Sequence, residues 1–152
     1  MKIVRGILAV IVGIIAGSVV NIGIIFLCGL IFGFPKGMNM WDADSVRAYA
    51  SQLTTANYVG VLVAHQLGTL VGAFVAAKIA TGGKMIFALV IGVWFLLGGV
   101  YAASLIPAPM WFVIVDLACY LPVAFIGGKL GGGNKAATEE SPVNKAASDA
   151  AE

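Results

Sequence analysis

Four long apolar runs, separated by short polar segments, constrain this chain more than any other feature. A helix needs about 20 mainly apolar residues to cross the hydrocarbon core of a bilayer. The four runs all approach or exceed that length, and they cover residues 6–34, 57–80, 85–105 and 110–128. The sequence therefore predicts an all-α integral membrane protein, with a four-helix transmembrane domain over residues 1–130.

Composition supports this fold class and excludes several soluble ones. Hydrophobic residues make up 61% of the 152 residues and charged residues only 11%, with a mean hydropathy of +1.01. A soluble domain carries about 45–50% apolar and about 25% charged residues. An ordinary cytosolic enzyme, a nucleic-acid binder and a disulfide-stapled secreted module are therefore excluded.

The positions of the basic residues predict the orientation, because lysine and arginine favour the cytoplasmic side of a membrane. Those assigned to that side are Lys2, Arg5, Lys78, Lys84, Lys129 and Lys135. The other side holds Lys36 and Arg47, offset by Asp42 and Asp44. We expect a multi-pass protein of the inner (plasma) membrane, with both termini and the turn at residues 81–83 in the cytoplasm.

The two ends of the chain need separate interpretations. A cleaved secretory signal is an open alternative for the first run, because residues 16–18 read Ala-Gly-Ser. The apolar part of a signal spans only about 7–15 residues, which favours an uncleaved helix. At the other end, residues 131–152 have almost no large apolar side chain. Such a composition predicts a disordered cytoplasmic tail.

The outer segment of residues 35–56 is the one sizeable loop of the sequence. Asp42 or Asp44 can cap a short helix, and apolar residues then recur at helical spacing on one face. These residues are Val46, Tyr49, Ala50 and Leu53. Met38, Met40 and Trp41 suit a membrane interface, so we expect a short helix on the membrane surface. The segment is either a covering loop or, over residues 38–53, a docking surface for an outer partner.

Small residues recur every four positions in the second run. They are Gly60, Ala64, Gly68, Gly72 and Ala76, and the first run carries the pair Gly13 and Gly17. Small side chains let membrane helices approach closely, which is one of the main sources of their association. The second run is therefore predicted to be the central packing helix. Whether its small face meets this chain or another copy stays open, so a homo-oligomer is one of two alternatives.

Two ionisable residues of these runs fall in the predicted hydrocarbon region, His65 and Asp116. They lie about 12 Å and about 9 Å from the outer ends of their helices, at the usual rise per residue. The predicted buried polar cluster comprises Asp116, His65, Gln66, Asn21, Thr69 and Tyr101. One interpretation is a hydrogen-bonded cluster that fixes the helix register. The other is a proton- or cation-handling pair, with Asn21, Gln66 and Tyr120 as supporting contacts.

The residue types give little support for a catalytic site or a metal site. There is one histidine, and the spacing favours no nucleophile–base arrangement. A metal site built from His65, Asp116 and one cysteine would have too few ligands. Cys28 and Cys119 lie singly in apolar runs, without the clustering of a zinc site or a disulfide framework. We expect no catalytic residue, no metal and no other cofactor.

Three stretches of the chain carry a resemblance to known sequences. They are Ala64-His65-Gln66-Leu67-Gly68-Thr69 with Gly72-Ala73, then Gly98-Gly99, and finally Pro109-Met110-Trp111-Phe112 through Asp116-Leu117. Together they resemble small four-span bacterial inner-membrane proteins, over roughly residues 1–130. Proteins of this type have no established activity, so the resemblance implies only topology and a bacterial source.

These observations favour a non-enzymatic integral membrane protein that acts as an accessory or oligomer-forming subunit. Its expected partners are the lipid bilayer and a second copy or another membrane protein, with no nucleic acid. The alternative is a small channel or transporter subunit that conducts protons or another small solute past Asp116 and His65. The inner halves of the runs are almost wholly apolar, which favours the accessory subunit.

Overall fold

A computed structural model describes residues 2–133, and this part of the chain is helical with no strand. The helices are α1 (Lys2–Phe32), α2 (Ala43–Tyr49), α3 (Thr55–Ile79), α4 (Lys84–Leu105) and α5 (Met110–Gly128). Two short turns complete them, a 3₁₀ turn at Ala50–Gln52 and a π-helical turn at Lys129–Gly133. All but α2 are long and apolar enough to cross a membrane. The prediction of four apolar membrane-length helices is confirmed.

The starts of α3 and α4 are fixed by local backbone chemistry. Thr54 and Asn57 form a capping box, in which each side chain accepts a hydrogen bond from the other's backbone N–H. The Asn57 amide also donates to the Gly33 carbonyl at 2.8 Å, and this bond ties the end of α1 to the start of α3. Gly83 precedes α4 with φ +57°, a left-handed conformation that favours glycine.

α3 is the helix that packs against α1, α4 and α5. Its small residues meet the glycines of α1 at backbone contact distance. A Cβ added to Gly17 would lie 2.6 Å from the Gly68 carbonyl oxygen, and one added to Gly13 would lie 2.8 Å from that of Gly72. The other members of the predicted stripe, Gly60, Ala64 and Ala76, are also buried. The small face of α3 is therefore covered within the chain.

The two ends of the bundle differ in packing. We call the end that carries α2 the loop end and the opposite one the terminal end. Toward the terminal end, a fully buried core is formed by Ala73, Ala76, Ala77, Ala88, Ile91 and Ala124. The partly buried Phe87 and Phe95 of α4 pack against it. Because small residues dominate, the helices approach closely and leave a dense layer there.

The segments outside the long helices can be compared with their predictions. Of the two candidate caps of α2, Asp42 is the one that accepts a hydrogen bond, from the Asp44 N–H at 3.1 Å. The position of α2 on a membrane surface stays a prediction. The π-helical turn packs on α3, where Gly131 is buried. The described structure thus extends past the predicted boundary at residue 130, and residues 134–152 of the predicted tail lie outside it.

Candidate functional site

Asp116 lies on α5 between the helices and is only 3% exposed. Its carboxylate accepts hydrogen bonds from three side chains. His65 Nδ1 lies 2.9 Å and 3.0 Å from the two oxygens, Gln66 Nε2 donates to Oδ1 at 3.1 Å, and Tyr120 Oη donates to Oδ2 at 3.1 Å. We call these four residues the carboxylate cluster. It joins two consecutive residues of α3 to two residues of α5.

Local helix geometry explains this arrangement. Asp116 and Tyr120 are four residues apart, so their side chains lie on the same face of α5. Gln66 also donates to the Asp116 backbone carbonyl at 3.3 Å, which fixes the level of α3 against α5. Thr69 lies one turn from His65 and is fully buried, but its hydroxyl donates to the His65 carbonyl at 2.8 Å. It therefore supports the helix that carries the histidine without touching the carboxylate.

Besides Thr69, two further residues of the predicted cluster, Tyr101 and Asn21, do not join the carboxylate cluster. Tyr101 is 67% exposed on α4, so the prediction that it belongs to the buried cluster is wrong. The α4 residue that faces α5 at this level is Gly99, whose added Cβ would lie 2.8 Å from the ring of Tyr120. Asn21 lies at the α1–α3 contact, close to Gly68. Its Oδ1 is buried and has no hydrogen-bond partner among residues 2–133.

Tyr120, rather than Tyr101, contacts Asp116; the proton-handling interpretation of the sequence named it as a supporting contact, and its spacing from Asp116 was a signal for this. The spacing of four residues from Asp116 places its hydroxyl beside the carboxylate on one helix. Tyr101 lies on a different helix, so its contribution depended on how α4 is rotated about its axis. That rotation is set by the close contact of Gly99 with Tyr120 and of Gly92 with Ala124.

The histidine presents its two nitrogens to different surroundings. Nδ1 lies between two carboxylate oxygens, which only accept hydrogen bonds when Asp116 is ionised. With Asp116 in that form, Nδ1 is the hydrogen-bond donor of the pair. Nε2 of His65 makes no hydrogen bond with residues 2–133. The side chain of His65 is 17% exposed, against 5% for that of Asp116, so the ring shields the carboxylate.

A cavity of about 230 Å³ opens above the carboxylate cluster, toward the loop end. We call it the loop-end cavity. His65 and Asp116 contribute to its lining at the deep end. Its roof consists of apolar side chains from the α1–α3 connection, namely Met38, Met40, Val46 and Leu53. The connection, for which the sequence left a covering loop and a docking surface as alternatives, covers a cavity that the sequence did not indicate.

Aromatic rings line the cavity between roof and floor. The centroids of Tyr58 and Phe112 lie 5.2 Å apart, and those of Phe112 and His65 lie 6.5 Å apart. The Tyr58 hydroxyl donates to the Ala50 carbonyl at 3.2 Å, which holds the roof onto α3. Aromatic pairs at such distances contribute about 0.5–1.5 kcal/mol beyond their area burial. The cavity therefore has a fixed aromatic wall.

The part of the chain that the structure describes contains no cluster of metal-binding residues. No group of three or more His, Cys, Asp or Glu residues is close enough there to hold a metal ion. Cys28 and Cys119 are partly buried and unpaired. The polar chemistry of this region is that of a carboxylate with three donors and an imidazole beside a cavity.

Comparison with protein-family models, with characterised proteins and with solved structures finds no match for this chain. The resemblance to four-span bacterial inner-membrane proteins therefore stays a prediction from the sequence.

Proposed function

We propose that this chain is a non-enzymatic integral membrane protein that serves as an accessory or oligomer-forming subunit, with the carboxylate cluster holding α3 and α5 in register. The observation that carries this proposal is the saturation of the Asp116 carboxylate by three side-chain donors. An isolated charge in a membrane interior is costly. A carboxylate with its donors in place offsets that cost and specifies one arrangement of its helices.

An oligomer would use a face other than the small-residue stripe of α3. That stripe is already in contact with α1 through Gly17 and Gly68. Light scattering of the purified protein tests this part of the proposal directly. Assembly that survives large substitutions on the exposed face of α1, at Ile15 and Val19, would exclude that face as the contact between copies.

A double-mutant cycle on thermal unfolding in detergent tests the structural role of the cluster. The variants are Asp116→Asn, His65→Ala and their combination. Each single change leaves a buried partner without its hydrogen bond, which costs about 1–3 kcal/mol. We expect both to destabilise the fold, with a coupling free energy of about 1 kcal/mol or more.

The matched control pairs Asp116→Asn with Thr69→Val. Thr69 is buried beside the cluster, yet its hydroxyl bonds its own helix. These two changes are expected to add within about 0.5 kcal/mol, as independent sites do. Unchanged stability in both single variants, or equal coupling in the two cycles, would contradict the proposed structural role.

A second candidate is a small channel or transporter subunit for protons or another small solute. The observation that favours it is the loop-end cavity, which reaches His65 and Asp116. The residues that line this cavity all lie toward the loop end, whereas Ala73 and Ile91 below it are fully buried. Conduction would therefore require the helices to separate. Proton flux in liposomes that is abolished by Asp116→Asn would support this candidate, and flux at the level of empty vesicles would oppose it.

The proposed location is the inner (plasma) membrane with both termini in the cytoplasm. The distribution of lysine and arginine supports this orientation. Single cysteines at Ser51 and Thr81, both exposed and at opposite ends of the bundle, provide a matched pair. With the native cysteines replaced, an impermeant maleimide should label Ser51→Cys in intact cells and Thr81→Cys only after lysis. The reverse pattern would invert the topology.

A further inference from the structure

At its deep end the loop-end cavity is lined by His65, whose ring nitrogen Nε2 has no hydrogen-bond partner in the described part of the chain. The Tyr58 hydroxyl and the Asn57 amide both donate to backbone carbonyls. The oxygens of Asp116 already accept from the carboxylate cluster. His65 Nε2 makes no such bond within residues 2–133. A molecule in the cavity would therefore be oriented by this nitrogen.

The pairing of His65 with Asp116 determines what this nitrogen can recognise. In the neutral ring with its proton on Nδ1, Nε2 is a hydrogen-bond acceptor. No lysine or arginine of residues 2–133 lines the cavity, so an anion would find no cationic side chain among them. The carboxylate already has three donors, so the fitting group is a neutral O–H donor.

The dimensions and lining of the cavity restrict the rest of the molecule. Sites for drug-sized ligands have volumes of about 300–1,000 Å³, so about 230 Å³ suits a single substituted ring. The lining includes the aromatic rings of Phe34, Tyr58 and Phe112 and the thioethers of Met38 and Met40. Aromatic and thioether groups both pack favourably on an aromatic ring.

The contact between α1 and α4 ends beside the cavity. Toward the terminal end, Phe87 and Phe95 of α4 lie against Gly6 and Gly17 of α1. Gly98 continues the same face of α4 by one turn, but a Cβ added there would meet no heavy atom within 4 Å. The two helices have therefore separated at this level. The cavity has Ile25 of α1 and Ala102 of α4 in its lining, so this separation is where a lipid-soluble molecule would enter.

We propose that the loop-end cavity binds the ring of a lipid-soluble phenol, the chemical class to which membrane quinols belong. The ring lies against Tyr58 and Phe112, and its hydroxyl donates to Nε2 of His65. Any apolar tail leaves between α1 and α4 into the bilayer. This binding is independent of whether the protein is an accessory subunit or a transporter subunit.

The single histidine of the chain permits a direct test. The full-length protein, labelled with ¹⁵N-histidine and placed in nanodiscs, gives imidazole nitrogen resonances from His65 alone. The probes are tetramethylhydroquinone, kept reduced, and tetramethylbenzene, which has the same methylated ring without hydroxyls. We expect tetramethylhydroquinone to shift the Nε2 resonance and leave Nδ1 nearly unchanged, and tetramethylbenzene to shift neither. Equal effects of the two probes would overturn the proposal.

Variants separate the hydrogen bond from the cavity. Affinities of the variants for both probes are measured by equilibrium dialysis against nanodiscs, because His65→Asn removes the labelled histidine. This variant keeps an N–H for Asp116 but removes Nε2, so its affinity for tetramethylhydroquinone should fall about tenfold, as expected for one lost hydrogen bond. Ala102→Leu fills the cavity and should abolish binding of both probes. The control Val100→Leu, on the exposed face of the same helix, should change neither affinity. Unchanged binding to Ala102→Leu would mean that the probe only partitions into the lipid, and would refute the site.

Discussion

Replacing Gly17 with alanine would place a methyl group against the backbone of the neighbouring helix. The added Cβ would lie 2.6 Å from the carbonyl oxygen of Gly68, whereas ordinary van der Waals contact begins at 3.4 Å. That oxygen belongs to the backbone of α3 and has no rotamer to change. The methyl group therefore fits only if α1 and α3 move apart by about 0.8 Å along this contact. A gap of about 0.5–1 Å removes a quarter to a half of the dispersion energy between the atoms that it separates.

The magnitude follows from comparison with Gly98→Ala. Alanine is favoured over glycine within a helix by about 1 kcal/mol, and this gain is common to both variants. A Cβ at Gly98 meets no atom within 4 Å, so that variant keeps the whole gain. Overpacking of a close contact costs about 1–3 kcal/mol. We expect Gly17→Ala to be less stable than Gly98→Ala by about 2 kcal/mol, which corresponds to a Tm lower by about 4–8 °C.

The assay is thermal unfolding of both variants and the wild type in the same detergent, followed by far-ultraviolet circular dichroism. Gly98→Ala should unfold at or above the temperature of the wild type, and Gly17→Ala below it. If Gly17→Ala is as stable as Gly98→Ala, the backbone contact of α1 with α3 does not hold the bundle together. The small-residue stripe would then have to serve a different contact.

Two further pairs of variants test other parts of the structure by the same assay. Tyr120→Phe removes one donor to Asp116 and should lower the free energy of unfolding by about 1 kcal/mol. Tyr101→Phe, on the exposed face of α4, should not change it measurably. Equal effects would place both hydroxyls outside the cluster. Gly83→Ala forces a side chain into a left-handed conformation and should lower the free energy of unfolding by about 1–2 kcal/mol. Gly82 has a negative φ and open space around it, so Gly82→Ala should stay within about 0.5 kcal/mol of the wild type. Similar losses in the two variants would contradict the left-handed turn.

The membrane-length helices could be predicted because their cause is local. A helix that crosses a membrane must satisfy every backbone polar group within itself, and continuous apolar sequence is therefore sufficient to locate it. The predicted and observed ends agree closest where turn chemistry is strong, as at Pro109 before α5 and Gly83 before α4. They differ at the start of α1, which includes Lys2 and Arg5, because a helix continues beyond its apolar part when nothing in the sequence terminates it.

Which residues form the polar site was harder to predict from the sequence. Membership depends on the rotation of each helix about its axis as well as on the depth of each residue in the membrane. The cost of an ionisable group in lipid predicts a buried position for His65 and Asp116 at any rotation of their helices. The depth of Tyr101 alone does not predict its direction, and the contact of Gly99 with Tyr120 turns it outward. Membrane helices all present apolar surfaces, so hydropathy does not reveal which side faces a neighbour. Glycine positions carry that information more directly, because a glycine on a helix face marks where another backbone or a ring can approach.

The loop-end cavity could not be predicted for the same reason, because the sequence does not reveal which helix faces have a neighbour. Small residues let α1 approach α3 and α4 as far as Gly17, but the facing residue of α4 beyond that point, Gly98, has no neighbour. A glycine with a partner and a glycine without one are identical in sequence. The difference arises because α1 follows the stripe of α3 to its end at Gly60, beside Cys28, and so leaves α4. A cavity forms where α1 stays in contact with α3 but no longer with α4, and the proposed phenol site depends on the position of this cavity next to His65.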